Sequence, residues 1–328
     1  MAPETVTVIG AGAWGTALAQ AAAMAGRRVT LVVRSDAVAD EITSNHTHSA
    51  VLGAQKLLVN ISAATIAGSS DIFILAVPAQ ATRAALSGLD PALFAGKPVI
   101  LSAKGLETGT LDRQSEILAD MAPAAIPYVL SGPSFAADVA AGRPTAVTLA
   151  GDDADQTSQL AAALAGPSFR PYAADDRIGV EVAGALKNVY ALACGAVEGA
   201  GLGASARSAL LARAYAEMAR MVTAMGGSAT TLTGLAGLGD LTLSCTSTQS
   251  RNYRFGIALG RGETARDILA GGAKLAEGVA TTPVALALAA SLKVDAPLIA
   301  AVNHLLDGEA DIKTIVAGLM SRPLKREE

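Results

Sequence analysis

The 328-residue chain has only two cysteines and three histidines, which cannot assemble a structural zinc site, and the separation of Cys194 and Cys245 matches no redox-pair motif. A reduced, cytoplasmic compartment is the simplest expectation. Aromatic residues make up only 3% of the chain while 33 residues are glycine, so the apolar content is mostly Ala, Val, Leu and Ile, which lets helices pack closely. Charge is also scarce. With 25 Lys and Arg against 29 Asp and Glu, the net charge of −4 leaves no basic face for nucleic acid or anionic lipid. Any anionic ligand must be met by a few placed cations. The apolar run from Gly278 to Leu292 contains Pro283 and is shorter than the ~20 residues that span a bilayer, so no membrane span is expected. Glu4 and an immediate strand pattern do not fit a signal peptide.

The composition is that of a globular protein, and the length suggests about two domains. In the first half, short β-branched runs alternate with Ala/Leu-rich stretches, the pattern of βα units building a parallel sheet. Strands are expected at Thr5–Ile9, Val29–Val33, Asp71–Val77, Val99–Ala103, Tyr128–Ser131 and Ala146–Leu149. Helical periodicity takes over at Val180–Val197, Ser205–Met225, Thr264–Ala270, Thr282–Leu292 and Pro297–Leu306, with the Gly-rich stretches 199–203, 226–239 and 260–262 as loops. The expected division is an α/β dinucleotide-binding domain over 1–176 and an all-α substrate and catalytic domain over 177–328, with a composition shift near 170–178.

Gly10-Ala11-Gly12-Ala13-Trp14-Gly15 follows the first strand and opens an Ala-rich helix that ends before the second strand. Within that order the motif reads as a dinucleotide loop: Gly10 for the turn, Gly12 for backbone approach to a pyrophosphate, Gly15 for helix packing. After the second strand stands Arg34-Ser35-Asp36 rather than a lone acid. Arg34 suits a 2′-phosphate and Asp36 is near enough for a free ribose, so NADP with some use of NAD is expected. The alternative makes Arg34 a surface charge and Asp36 a helix N-cap.

Four further stretches set isolated polar residues in apolar sequence. They are Ser102–Glu107 with Lys104, Ser131–Ala136, Glu181–Tyr190 with Lys187 and Asn188, and Gly237–Gly256 with Asp240, Ser244 and Arg251. Singly, each is ordinary: a lysine snorkels, an Asp after Gly caps a helix. Together with a dinucleotide loop they suit a reductase that anchors a small phosphorylated carbonyl compound and protonates its oxygen. Lys187 fits the proton donor, and Arg251 offers a fork for phosphate. His46, His48 and His304 read as surface or structural groups, and no nucleophilic triad is evident.

These motifs resemble the bacterial NAD(P)-dependent glycerol-3-phosphate dehydrogenases over nearly the whole chain: GAGAWGTALA, AKGLE, SGPSFA, AGALKNVYALACG, GLAGLGDLTLSCTSTQSRNYRFG and LAEGVATT. The resemblance implies a Rossmann-like domain followed by an all-α domain of the 6-phosphogluconate-dehydrogenase type. It also implies interconversion of dihydroxyacetone phosphate and sn-glycerol 3-phosphate for phospholipid synthesis. By the same resemblance Lys187 is the proton acceptor, and Lys104, Gly132, Ser134, Asp240, Ser250, Arg251 and Asn252 contact substrate. Ala13, Trp14, Arg34, Lys104, Ala136, Arg251, Leu275 and Glu277 line the cofactor. Ala13 stands where relatives often have Ser, and residues 45–53 lack the family's Tyr-Leu-Pro-Gly, so no site residue is carried over there.

Two other readings stay open at this stage. A β-hydroxyacid or ketopantoate-type reductase also carries a Gly-x-x-Lys like Gly184–Lys187, although Ser250-Arg251-Asn252 favours phosphate; the other is a cofactor-binding module without catalysis, against which Lys187, Lys104 and Asp240 argue jointly. Apolar helices rich in small residues lead to the expectation of a homodimer.

Overall fold

The computed structural model describes residues 3–272 and 276–323. Eight strands form one sheet: β1 (Thr5–Ile9), β2 (Arg28–Val32), β3 (Ile61–Ala64), β4 (Ile72–Leu75), β5 (Pro98–Leu101), β6 (Ile126–Ser131), β7 (Thr145–Ala150) and β8 (Phe169–Ala174). Their spatial order is β3-β2-β1-β4-β5-β6-β7-β8. All neighbours run parallel, as expected, except β6 and β7, which are antiparallel. The β6–β7 link carries only the short helix Ala136–Ala140, too little to cross back over the sheet.

Strands β3 and β8 were not foreseen. Both are edge strands: β3 has four residues and is tied down by Asn60, whose amide donates to Ala23 O and Arg27 O. β8 carries Pro171, which an edge tolerates, so the composition shift near 170–178 is in part a strand.

Beyond β8 the chain is helical. Its centre is Arg177–Gly199, capped by Asp176, whose carboxylate accepts from Gly179 N at 2.8 Å. This helix is long and apolar enough to cross a membrane, yet 94% of its most apolar 18-residue window is buried inside the protein. It serves as the core of the helical half, its Val189 and Tyr190 sharing one apolar cluster with Met218, Leu241 and Ile299.

The shortage of aromatics has a structural counterpart where this central helix crosses helix Arg251–Gly260. A Cβ on Gly195 would lie 2.1 Å from Tyr253 O, and one on Gly256 would lie 2.1 Å from Leu192 O; Gly199 and Gly260 are equally tight. Backbone meets backbone, and Asn252 in the first turn of the second helix bonds to Asn188 of the central one. The region 226–239, expected as loop, contains a 3-10 helix at Ala229–Thr233 and a π turn at Leu235–Gly239 that delivers Asp240 into the helix Asp240–Thr246.

Candidate active site

At the C-terminal edge of β1 the three loop glycines do different work. Gly10 has φ +108°, and a Cβ there would sit 2.8 Å from Ala76 O; a Cβ on Gly15 would fall 1.9 Å from Gly10 O. Neither position accepts a side chain. Gly12 has an ordinary φ of −70° and its Cβ would meet nothing within 4 Å. Gly12 therefore opens a cradle before helix Ala13–Met24, whose first-turn N–H groups have no carbonyl behind them. That cradle fits a pyrophosphate. Beside it Trp14 is half-buried, and its buried Nε1 has no partner among the described residues.

At the end of β2, Arg34 is exposed and forms no ion pair among the described residues. Ser35, not Asp36, is the N-cap of helix Asp36–Asn45, its hydroxyl accepting from Val38 N at 3.4 Å. Asp36 occupies the first helical position, where its charge suits the helix dipole. Its Oδ1 accepts from Thr65 Oγ1 at 3.3 Å.

Asp240 is the centre of the chemistry. It is 1% exposed and uses one oxygen for each of two lysines: Oδ1 accepts from Lys187 Nζ at 2.8 Å, Oδ2 from Lys104 Nζ at 2.5 Å. Lys187 also reaches Ser244 Oγ at 2.7 Å, and Lys104 also donates to Gly132 O at 3.1 Å. The Ser134 hydroxyl donates to the same Gly132 carbonyl at 3.0 Å. Burial pushes the Lys104 ammonium down to about 8, Lys187 adding to the fall and Asp240 opposing it. Burial works against the Asp240 carboxylate, but the two lysines outweigh it and hold the carboxyl below its ordinary value. Two ammonium groups share one carboxylate, which leaves local positive charge at a nearly dry site.

A chain of amides ties the surrounding segments together. Asn188 donates from Nδ2 to Lys104 O at 2.8 Å and accepts at Oδ1 from Asn252 Nδ2 at 2.8 Å; Asn252 Oδ1 accepts from Gly278 N at 2.9 Å. Both ends of the Asn252 side chain are thus engaged with protein. Ser250 caps the same helix, its hydroxyl accepting from Tyr253 N at 3.3 Å. The N–H groups of Arg251 and Asn252 lie in the first turn, and the exposed Arg251 guanidinium stands beside them. Glu277 accepts from Ala79 N at 3.4 Å, and burial raises its carboxyl despite the pull of Arg251, Lys187 and Lys104.

The structure therefore gathers Lys104, Gly132, Ser134, Lys187 and Asp240, with Ser250, Arg251 and Asn252 on a helix bound to them through Asn188. Gly10, Gly12, Ala13, Trp14 and Gly15 form the loop at β1, Arg34 stands at β2, and Ala136 begins the helix after β6. Leu275 lies outside the described residues. Sequence reasoning noted Ser244 in the Gly237–Gly256 stretch but assigned it no role, although its i+4 spacing from Asp240 on one helix face was a usable signal. Asn188 was noticed only as an interruption of an apolar face. Nothing local pointed to its partners, which lie 64 and 84 residues away.

A glycine cradle at a helix N-terminus, with an ammonium pair on a buried carboxylate at the same sheet edge, defines a nicotinamide-dinucleotide-dependent dehydrogenase. Residues 5–157 match the family model for the N-terminus of NAD-dependent glycerol-3-phosphate dehydrogenase, and residues 176–317 match the model for its C-terminus. Glycerol-3-phosphate dehydrogenase, NAD(P)+, of Caulobacter vibrioides is 49% identical over 327 residues, covering 99% of both chains. The same-named protein of Maricaulis maris is 47% identical, covering 99% of this chain and 98% of its own. The crystal structure of glycerol-3-phosphate dehydrogenase from Coxiella burnetii superposes with a TM-score of 0.90 at 36% identity, covering 97% of this chain and 99% of that one. This chain belongs to the NAD-dependent glycerol-3-phosphate dehydrogenase family.

Proposed function

We propose that this chain interconverts dihydroxyacetone phosphate and sn-glycerol 3-phosphate, mainly by reduction, with NADPH or NADH, and supplies glycerol phosphate for phospholipid synthesis. The observation that carries the substrate class is Asp240 holding Lys187 and Lys104, with Asn188, the residue after Lys187, bonded to Asn252 in the first turn of helix Arg251–Gly260. The phosphate is met by Arg251 and by the backbone N–H groups of that turn, as a helix N-terminus meets anions. A nicotinamide dinucleotide held at the Gly10–Gly15 loop would supply the hydride for the carbonyl carbon. Lys187 Nζ donates the proton to the carbonyl oxygen, and in the reverse direction takes it back. Asp240 and Ser244 aim the Lys187 ammonium, while Lys104 lends charge beside the same oxygen.

Gly10, Gly12, Ala13, Trp14 and Gly15 would hold the dinucleotide phosphates and Arg34 the 2′-phosphate of NADPH, while Ala136 and Glu277 would line the same cofactor. Ser134, Gly132 and Ser250 complete the substrate pocket. We place the domain boundary at 176/177, so that the dinucleotide half and the helical half meet across Asp240 and Lys104. A homodimer in the cytoplasm completes the proposal, supported by the small residues that run exposed along 203–206 and 208–209. The test is the rate of NADPH oxidation with dihydroxyacetone phosphate against unphosphorylated dihydroxyacetone; equal rates would remove the phosphate assignment. Arg34→Ala should weaken NADPH more than NADH.

A further inference from the structure

We propose that His48 is a positioning residue for the dinucleotide and takes up a proton as the cofactor binds. The inference rests on the proposal that the Gly10–Gly15 loop holds the pyrophosphate. His48 belongs to the stretch 45–53 that departs from the family pattern, and the structure ties that stretch to the dinucleotide helix. The imidazole is 4% exposed, and its Nδ1 lies 3.1 Å from Oγ1 of the fully buried Thr16. Thr16 N donates to Gly12 O at 2.9 Å, the bond that starts helix Ala13–Met24. Side chains on a helix lean toward its N-terminus, so the Thr16 hydroxyl reaches back toward the first-turn N–H groups that front the cradle. His48 is thereby held behind the cradle, within about two helical turns, ~10 Å, of it.

The surroundings let the imidazole change charge without losing its place. A hydroxyl both donates and accepts, so the Thr16 bond serves a neutral Nδ1 and a protonated one alike. Glu41 fixes the loop on either side of His48, accepting from Thr47 Oγ1 at 3.1 Å and from Ser49 N at 2.7 Å. Charge is otherwise sparse. Helix Ala13–Met24 and the short helix Ser49–Leu52 contain no charged residue, and Lys56, opposite Thr47, turns its ammonium to Asn45 O at 3.2 Å. His46, the C-cap of helix Asp36–Asn45, is the other titratable ring of the loop. Burial holds the His48 imidazole below its ordinary value, with Glu41 opposing, so the free protein carries it neutral at pH 7. A pyrophosphate brings two negative charges to the cradle and favours the imidazolium. The bound form then binds more protons than the free one, so affinity rises as pH falls below neutrality.

The test is calorimetry of NAD+ binding at about pH 6 in two buffers of different ionisation enthalpy, whose difference in heat counts the protons exchanged. NAD+ carries the pyrophosphate but no 2′-phosphate, whose own titration at about pH 6 would mask the count. A tenfold rise in the proton affinity of His48 gives uptake of about half a proton, and NAD+ about threefold tighter at about pH 6 than at about pH 7. His48→Asn keeps a polar atom near the Nδ1 position and does not titrate; it and His48→Gln should lose both effects, while His46→Asn keeps them. Uptake below ~0.1 proton in the wild type overturns the inference and needs no variant to fold. Uptake that persists in His48→Asn or His48→Gln, or that vanishes in His46→Asn alone, overturns it as well. Gly12→Ala separates the two proposals. NAD+ binding untouched in that variant would remove the loop reading and the inference together, whereas weakened binding there, with no uptake in the wild type, removes the inference alone.

Discussion

Lys104, just beyond β5, and Asp240, at the start of a helix 136 residues later, meet at 2.5 Å. Through that contact the sheet and the helical half share one charge centre, and Lys187 completes it from the central helix. Neither half holds the full constellation.

Lys187→Ala removes the proposed proton donor. It should lower kcat by roughly 100-fold or more, as loss of general acid catalysis does. NADPH affinity, measured by quenching of the single tryptophan, Trp14, should stay near wild type. Undiminished kcat would rule Lys187 out as donor.

Asp240→Asn and Ser244→Ala separate charge from aim. Asp240→Asn leaves two nearly buried ammonium groups without their carboxylate, so Tm and kcat should fall together, the stability loss being about 3–5 kcal/mol. Ser244→Ala removes a neutral partner only; kcat should fall about tenfold with Tm nearly unchanged. A variant Asp240→Asn as stable as wild type would contradict the shared-charge account.

The Lys104 ammonium, pushed down to about 8, is charged below that pH and neutral above it. Its attraction for an anionic substrate is therefore lost as pH rises, so kcat/KM for dihydroxyacetone phosphate should decline above about 8. Lys104→Arg should move that decline upward. Stability responds in the opposite direction: between about 8 and the ordinary 10.5 the unfolded chain binds more protons at this group, so its contribution to folding improves with pH. An unmoved profile in Lys104→Arg would assign the decline elsewhere.

Gly12→Ala and Gly15→Ala test the loop. At Gly12 φ is −70° and a Cβ meets nothing, so the variant should keep or slightly raise Tm while NADPH binding falls tenfold or more, a ~1.4 kcal/mol loss. At Gly15 the added Cβ would lie 1.9 Å from Gly10 O, so Tm should fall as well. Intact NADPH binding in Gly12→Ala would place the pyrophosphate elsewhere.

Legibility in the sequence followed the range of the interactions. β1, the glycine loop and its helix are local, and their residues announced them. Lys187 and Asp240 stood out as polar residues in apolar surroundings. Edge strands β3 and β8 did not, because an edge strand buries less and one of the two carries Pro171. Helix Arg251–Gly260 was hidden by its polar start and by glycines that look like breakers but serve a close helix crossing, visible only once Gly195 and Gly256 are seen against the facing backbones. The cap at Ser35 and the engagement of Asn252 with Asn188 and Gly278 are likewise tertiary facts.

The central claim is that the site reduces a phosphorylated three-carbon ketone anchored at helix Arg251–Gly260. Its most direct measurement is the initial rate of NADPH oxidation, with dihydroxyacetone phosphate and with dihydroxyacetone, for wild type and Arg251→Ala. The account predicts turnover of the phosphorylated ketone at least about 100-fold above the unphosphorylated one, with most of that advantage lost in Arg251→Ala, as removal of a charged anchor implies. Comparable rates for the two ketones, or an advantage untouched by Arg251→Ala, would contradict it.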